Sequence, residues 1–509
     1  MVKEVGNMIN SNNRKISVFL SYLSQLIHIL SGLIYTPIML RMLGQSEYGL
    51  YQLVASVVSY LSLLSLGFSG SYMRFYSRYK VKNDEQGVAK LNGMFMTIFL
   101  TMMIVALISG LIMVANLQTI FGTGLTDAEL HKAKILFLIL VVNLALTFPM
   151  SVYDCNLIAH EEYVFQKLLL VLQNLFSPII TLPLLLIGYG SVAMVCVTTC
   201  LTFSKLLLSL IYCKRKLKVR FEFRGMQLSL LKELAVFNTF ILINQIINQI
   251  NWNLDKFLLG RMAGTAAVAI YSVAAQLNSM YMQLGNAIPS VYTTQINLMV
   301  ARNSSKDEIN SVFSNVARIQ FSVIGLVISG YVFFGANFIE LWAGKEYQDS
   351  YQIGLLLMLP ATIPYIQCLG YEIQRAMNMH KARSIIYLCV AVMNLFVSIP
   401  CIRQWGARGA AIGTALTFIL GHGIFMNLYY HKKMGLNMFP FWSKLKSFIP
   451  AYLLIICCGI IFNRFFYAEN YLQIFMQIGI YSVVYICSII FIALNPYERN
   501  IILKKIKKR

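Results

Sequence analysis

Apolar runs long enough to cross a lipid bilayer follow one another almost without pause from residue 16 to residue 494. Crossing the hydrocarbon takes roughly 20 helical residues, and a backbone in lipid must satisfy its own polar groups, so runs of this kind fold as spanning helices. The pattern predicts about fourteen of them, near 16–40, 47–72, 92–116, 133–154, 164–188, 190–213, 235–258, 266–298, 312–337, 351–376, 382–402, 407–430, 446–466 and 471–494. Of 509 residues, 58% are hydrophobic and only 12% charged, too few polar side chains to cover a water-soluble body of that size. The expected class is an all-α integral membrane protein. The first run is too long for a signal-peptide core and has no small-residue cleavage site, so it reads as a retained helix. Most of the ten cysteines lie inside apolar runs, as packing residues do.

Lys and Arg set the orientation. With the N-terminus in the cytoplasm, the inside segments hold 32 of these residues and the outside segments nine, and Lys205 falls within a span. Positive charge is retained on the cytoplasmic side, so both termini are expected there. The net charge of +22 is then a topology signal and an attraction to anionic headgroups, with no nucleic-acid partner implied.

The chain also repeats itself. "RMLGQSEYGLYQLVAS" from Arg41 is echoed 220 positions later by "RMAGTAAVAIYSVAAQ" from Arg261, which pairs Gly44 with Gly264 and Tyr51 with Tyr271. "GYGSVAMVCVTTC" from Gly188 is echoed by "QWGARGAAIGTAL" from Gln404, which pairs Gly190 with Gly406. Six spans precede a basic loop and six follow it, so two six-helix lobes run the same way through the membrane, as in transporters whose halves rock about a midplane site. The expected divisions are an N-terminal lobe at 1–213, a basic cytoplasmic linker at 214–234, a second lobe at 235–432, and two further helices with a basic tail at 433–509. Pro149, Pro178, Pro183, Pro289, Pro360 and Pro364 each remove a backbone donor inside a span, which is tolerated where the break faces protein or water. "GNAIPS", with Gly285 and Pro289, is the expected hinge.

A charge at the bilayer centre costs about 2.5–3.5 kcal/mol on insertion scales, so each needs a reason. Arg74 and Arg78 lie one turn apart at the inner end of span two. Asn244, Asn248, Asn251 and Asp255 recur every three or four residues along span seven, followed by Lys256; such a stripe faces a wet cavity or other helices. Glu372 and Arg375 are spaced to pair within span ten, and Arg318 opens span nine. The excess of cations favours an anionic cargo, and guanidinium groups suit phosphate. Arg74, Arg78, Lys256, Arg318 and Arg375 are therefore the candidate phosphate-binding residues, with Asn244, Asn248, Asn251, Asp255 and Glu372 as the polar lining.

The whole pattern resembles Wzx-type polysaccharide flippases of the multidrug/oligosaccharidyl-lipid/polysaccharide superfamily. It is carried by "MLGQSEYGLYQLV", "LDKFLLGRMAGTAAVAIYSVA", "YEIQRAMNMHKAR" and "WGARGAAIGTAL" on a layout of six, six and two spans, over about residues 14–495. The resemblance implies a two-lobe transporter in the bacterial cytoplasmic membrane that turns an undecaprenyl-pyrophosphate-linked oligosaccharide to the outer leaflet, with spans thirteen and fourteen shaping a groove for the lipid. It also implies membrane lipids as partners, together with a polysaccharide polymerase and glycosyltransferases. A lipid II flippase and a multidrug antiporter of the same superfamily stand as alternatives, and a membrane glycosyl polymerase is a more distant one. No cofactor motif is present and no catalytic residue is expected, so the chain reads as a transporter. The few lumenal carboxylates assign no coupling ion.

Overall fold

The computed structural model describes residues 2–65, 68–224, 228–465, 468–495 and 498. Among these no strand occurs, and the chain forms two compact units, Met1–Ala269 and Ile270–Arg509.

The first unit is built from α1 (Val2–Tyr60), α2 (Phe68–Val81), α3 (Glu85–Ala115), α4 (Leu117–Phe121), α5 (Asp127–Ala159), α6 (Tyr163–Leu186), α7 (Gly190–Arg215), α8 (Leu228–Met262) and the start of α9 (Gly264–Ala301). α1 packs along α6, α5 and α8, and α5 packs along α7 and α3. α1 ends in a tighter 3-10 turn, Leu61–Ser65. Serines at every third position prepare it: Ser56, Ser59 and Ser62 each donate to the carbonyl three residues back.

The second unit holds the rest of α9, then α10 (Lys306–Trp342), α11 (Asp349–Ile366), α12 (Leu369–Ala376), α13 (His380–Phe418), α14 (Met426–Tyr429), α15 (Met438–Leu445), α16 (Ile449–Phe465) and α17 (Tyr471–Ser488). α10 packs on α11, α16 and α17, and α11 packs on α13. π-helical turns at Ile419–Phe425, Tyr430–Met434 and Ile489–Ala493 interrupt the regular ladder.

Among the described residues nine helices are long and apolar enough to cross a membrane, or ten if α11 and α12 form one span bent by 45°. Two of these stretches, Phe19–Ser65 and Ala382–Met434, run to 47 and 53 residues. At 1.5 Å per residue each is about two and a half times the roughly 30 Å of hydrocarbon. Both contain a glycine with non-helical backbone, Gly44 in α1 and Gly406 in α13, where two predicted spans meet. The predicted spans seven and eight correspond to α8 and α9, which are helical but carry too many polar residues to count by apolarity alone.

The echoes in the sequence have a backbone counterpart. Gly44 and Gly264 have φ of 71° and 82°, and Gly190 and Gly406 have φ of 63° and 54°, a region that a Cβ disfavours. In the first unit the echoed segments also touch. Glu47 accepts the Ser191 backbone N–H at 2.5 Å and the Ser191 hydroxyl at 2.7 Å, and it pairs with Lys132 at 2.6 Å. A Cβ on Gly49 would stand 1.9 Å from the Thr265 carbonyl oxygen, so only glycine allows that approach.

The predicted hinge is a continuous helix. α9 runs through Pro289, whose missing N–H leaves the Gly285 carbonyl without its intrahelical donor. The buried Gln320 of α10 supplies that donor through its side-chain amide, and Gly285 leaves room for the Tyr365 ring of α11, 3.0 Å from where a Cβ would stand.

Candidate functional site: a neutral polar cavity and scattered cations

A cavity of ≈ 320 Å³ opens within the first unit where α8 meets the 3-10 turn after α1 and the face of α5. Gln245, Asn248 and Gln249 line it from α8, Ser62 and Ser65 from the turn, and Thr147 and Ser151 from α5. Gln249 anchors the wall by donating to the Ser59 carbonyl at 2.6 Å and to the Ser62 hydroxyl at 2.8 Å. Its own amide oxygen accepts from Asn253 at 2.5 Å. Two turns along the same face, Lys256 is half-buried and donates to Gln52 at 3.2 Å, and Gln52 in turn donates to the Tyr48 hydroxyl at 3.0 Å. The wall thus carries neutral hydroxyl and amide groups interleaved with the apolar side chains of Leu63, Leu144 and Phe148, with one ammonium group beyond its edge. Such a surface can exchange hydrogen bonds with a polyhydroxylated molecule, which offers donors and acceptors in similar numbers.

Of the predicted stripe on α8, Asn248 faces this cavity, Asn251 is half-buried and Asp255 is buried. The side chain of Asn244 lies outside the described residues. The cavity face runs through Gln245, Asn248 and Gln249, rotated from the predicted stripe, because the packing of α8 on α1 and α2 sets which side of the helix remains open.

The predicted cations have separate surroundings. Arg74 and Arg78 are exposed on α2, a helix distinct from the one before it, and Arg78 lies 4.9 Å from the Phe75 ring. In the second unit Arg375 is exposed and pairs with Glu372 at 3.5 Å. Arg318 is 2% exposed and its fork is closed: Glu498 accepts from Nε and Nη2 at 2.8 Å each, the Lys444 carbonyl and Ser447 hydroxyl from Nη1 at 2.6 Å each, and the Ala493 carbonyl from Nη2 at 3.0 Å. That is the geometry of a clasp joining α10 to the ends of α15 and α17, with no donor turned toward a ligand.

A sequence model for a family described as "Polysaccharide biosynthesis protein" matches residues 16–293, more than half of the chain. The chain belongs to that family. A protein of Shigella flexneri named as an O-antigen transporter is 21% identical over 76% of this chain and 91% of its own. EpsK, an uncharacterized membrane protein of Bacillus subtilis, is 22% identical over 79% of each chain. Among solved structures, the lipid II flippase MurJ in an inward closed conformation superposes with a TM-score of 0.73 at 15% identity, covering 92% of this chain and 98% of that one. A multidrug resistance MATE family transporter of the MOP superfamily, inward-facing, gives 0.65 at 12% identity, covering 80% and 96%. The family member therefore has the MOP fold, and its family and relatives are those of flippase-type membrane transporters and not of enzymes.

Two features of this polysaccharide-biosynthesis family member were not singled out from the sequence. One is the buried network in which the Tyr72 hydroxyl lies 2.6 Å from the Asn92 amide oxygen, to which it donates, and 3.1 Å from that of Asn156. The other is Arg383, whose guanidinium carbon lies 3.7 Å from the centre of the Tyr371 ring and 4.7 Å from that of Tyr387. Tyr387, one helical turn after Arg383, is the only local sign of that second arrangement.

Proposed function

We propose that the chain moves an undecaprenyl-pyrophosphate-linked oligosaccharide from the inner to the outer leaflet of the cytoplasmic membrane by alternating access between two six-helix lobes, with both termini in the cytoplasm. The observation that carries this reading is the cavity lined by Gln245, Asn248, Gln249, Ser62 and Ser151, whose neutral groups suit sugar hydroxyls and include no carboxylate to hold a cationic drug. Arg74, Lys256 and Arg375, supported by Arg78, are the proposed phosphate contacts, and Gly285 with Pro289 the proposed hinge. Arg318 is not carried into that set, since its donors are all engaged.

Expression in a strain whose own polysaccharide flippase has been deleted should restore surface polysaccharide, and should not rescue a strain depleted of its lipid II flippase. Rescue of the second strain alone would replace this reading with lipid II transport, which the likeness to the MurJ fold makes the nearest rival.

A further inference from the structure

We infer that Arg383, with the hydroxyls of Tyr371 and Tyr430, forms a receptor for a phosphate group in the second unit. Arg383 stands in the first turn of α13, with its guanidinium in the corner between two rings inclined at 84°. The Tyr387 hydroxyl donates to that of Tyr371 at 2.7 Å, which fixes the corner. Stacking occupies the flat faces of a guanidinium, whereas its five N–H groups point outward in its plane, so most of the fork stays open.

The other arginines of this unit that form ion pairs show the contrast. Arg318 is closed by Glu498, while the more exposed Arg408 and Arg375 each have a carboxylate partner, Asp349 and Glu372, and keep donors free. Among the described residues Arg383 makes no ion pair, although it is half-buried in a span where an uncompensated charge is costly. The Tyr430 hydroxyl, close enough to act on the Arg383 charge, is fully buried and has no hydrogen-bond partner among the described residues. The hydroxyl proton of Tyr371 is also not donated to Tyr387, from which Tyr371 accepts. The cluster therefore combines a planar cation and hydroxyl donors, with no carboxylate in an ion pair with that cation among the described residues; Glu372, beside Tyr371, pairs with Arg375. Its complement is an anion with several acceptor oxygens, and a phosphate or diphosphate ester meets a fork and two hydroxyls better than a carboxylate does.

Two sources share that chemistry, the diphosphate of a lipid-linked cargo and a phospholipid headgroup; the first rests on the proposed transport function. The test uses the full-length protein in detergent micelles free of phospholipid. It measures binding of inorganic pyrophosphate and of a short prenyl diphosphate by calorimetry, and the ligand-dependent rise in melting temperature. Nanodiscs of phosphatidylglycerol compared with phosphatidylcholine supply the headgroup arm.

Arg383→Gln should weaken pyrophosphate binding by about tenfold or more, since a charge-assisted bidentate contact is lost. Arg383→Lys, which keeps the charge and a cation–π contact but not the planar fork, should recover only part, and Arg408→Gln should bind normally. Loss of prenyl diphosphate binding identifies the cargo as the source. Loss confined to stabilisation by phosphatidylglycerol identifies the headgroup. Wild-type pyrophosphate affinity in a folded Arg383→Lys or Arg383→Gln protein would overturn the site and leave Arg383 a stacked structural cation. A wild-type protein that binds pyrophosphate through Arg383 but restores no surface polysaccharide would sink the proposed transport function and leave this site standing.

Discussion

Arg318 directs every donor it has to protein acceptors in the last third of the chain, and the Phe448 ring lies 5.0 Å from its guanidinium carbon. Burial pushes the Glu498 carboxyl up, but the Arg318 hydrogen bonds and the Asn495 N–H outweigh it and hold that carboxyl below its ordinary value of 4.5. A depressed carboxyl stabilises the fold above its unfolded pKa, and the contribution is lost as pH falls through the folded one. Glu498→Gln should therefore destabilise the protein near pH 7 by about 3 kcal/mol, because it strands a buried guanidinium. In thermal melts the gap to wild type should close as pH drops below 4.5. A gap independent of pH would remove the ion pair from the explanation. At the cavity the stakes are smaller. Asn248 is open to the cavity and the fold does not lean on it, so Asn248→Ala should leave abundance unchanged. It should slow translocation in proteoliposomes by about three- to tenfold, the worth of one hydrogen bond of roughly 0.5–1.5 kcal/mol. Unchanged translocation with intact cargo would take Asn248 off the path.

Among elements, α9 and α10 are joined by one hydrogen bond that exists because of a proline. Pro289 vacates the Gly285 carbonyl and Gln320 fills it. Gln320→Leu should cost about 1–3 kcal/mol, the penalty for a buried carbonyl left bare. Adding Pro289→Ala should recover most of that loss, since an alanine at this position brings back the intrahelical N–H; denaturant unfolding of the two singles and the double reads the coupling. Failure of the double to recover would mean that Gln320 acts through packing. Whether Pro289 also localises motion is a separate matter, tested by spectroscopic distances between the two ends of α9 in wild type and Pro289→Ala. The larger break lies elsewhere, in the 45° bend between α11 and α12 that follows Pro360 and Pro364.

For the whole molecule, the distribution of Lys and Arg predicts which ends of the helices face the cytoplasm. A cysteine introduced near Gln45 or Trp342 should react with an impermeant reagent added outside intact cells, and one near Arg220 should not. Reaction at Arg220 would invert the topology and the direction of transport with it.

Sequence alone determined the membrane class, the long helices and the glycines where paired segments turn, because each follows from local terms: transfer of apolar residues summed along a run, and a Cβ that positive φ excludes. Gly44 with Gly264 and Gly190 with Gly406 were legible as pairs for that reason. What only the tertiary structure decided is which polar groups meet. Arg318 looked like a ligand-binding cation because its partner Glu498 is 180 positions away in a basic tail. Arg383 looked ordinary because its open fork depends on Tyr371 and Tyr430 arriving from other elements. The open side of α8 fell on Gln245 and Gln249 instead of Asn251 and Asp255 because neighbouring helices covered the rest. Burial of a run is a property of the run, whereas the pairing of a charge is a property of its neighbours, and in this chain those neighbours are set by how helices far apart in sequence pack.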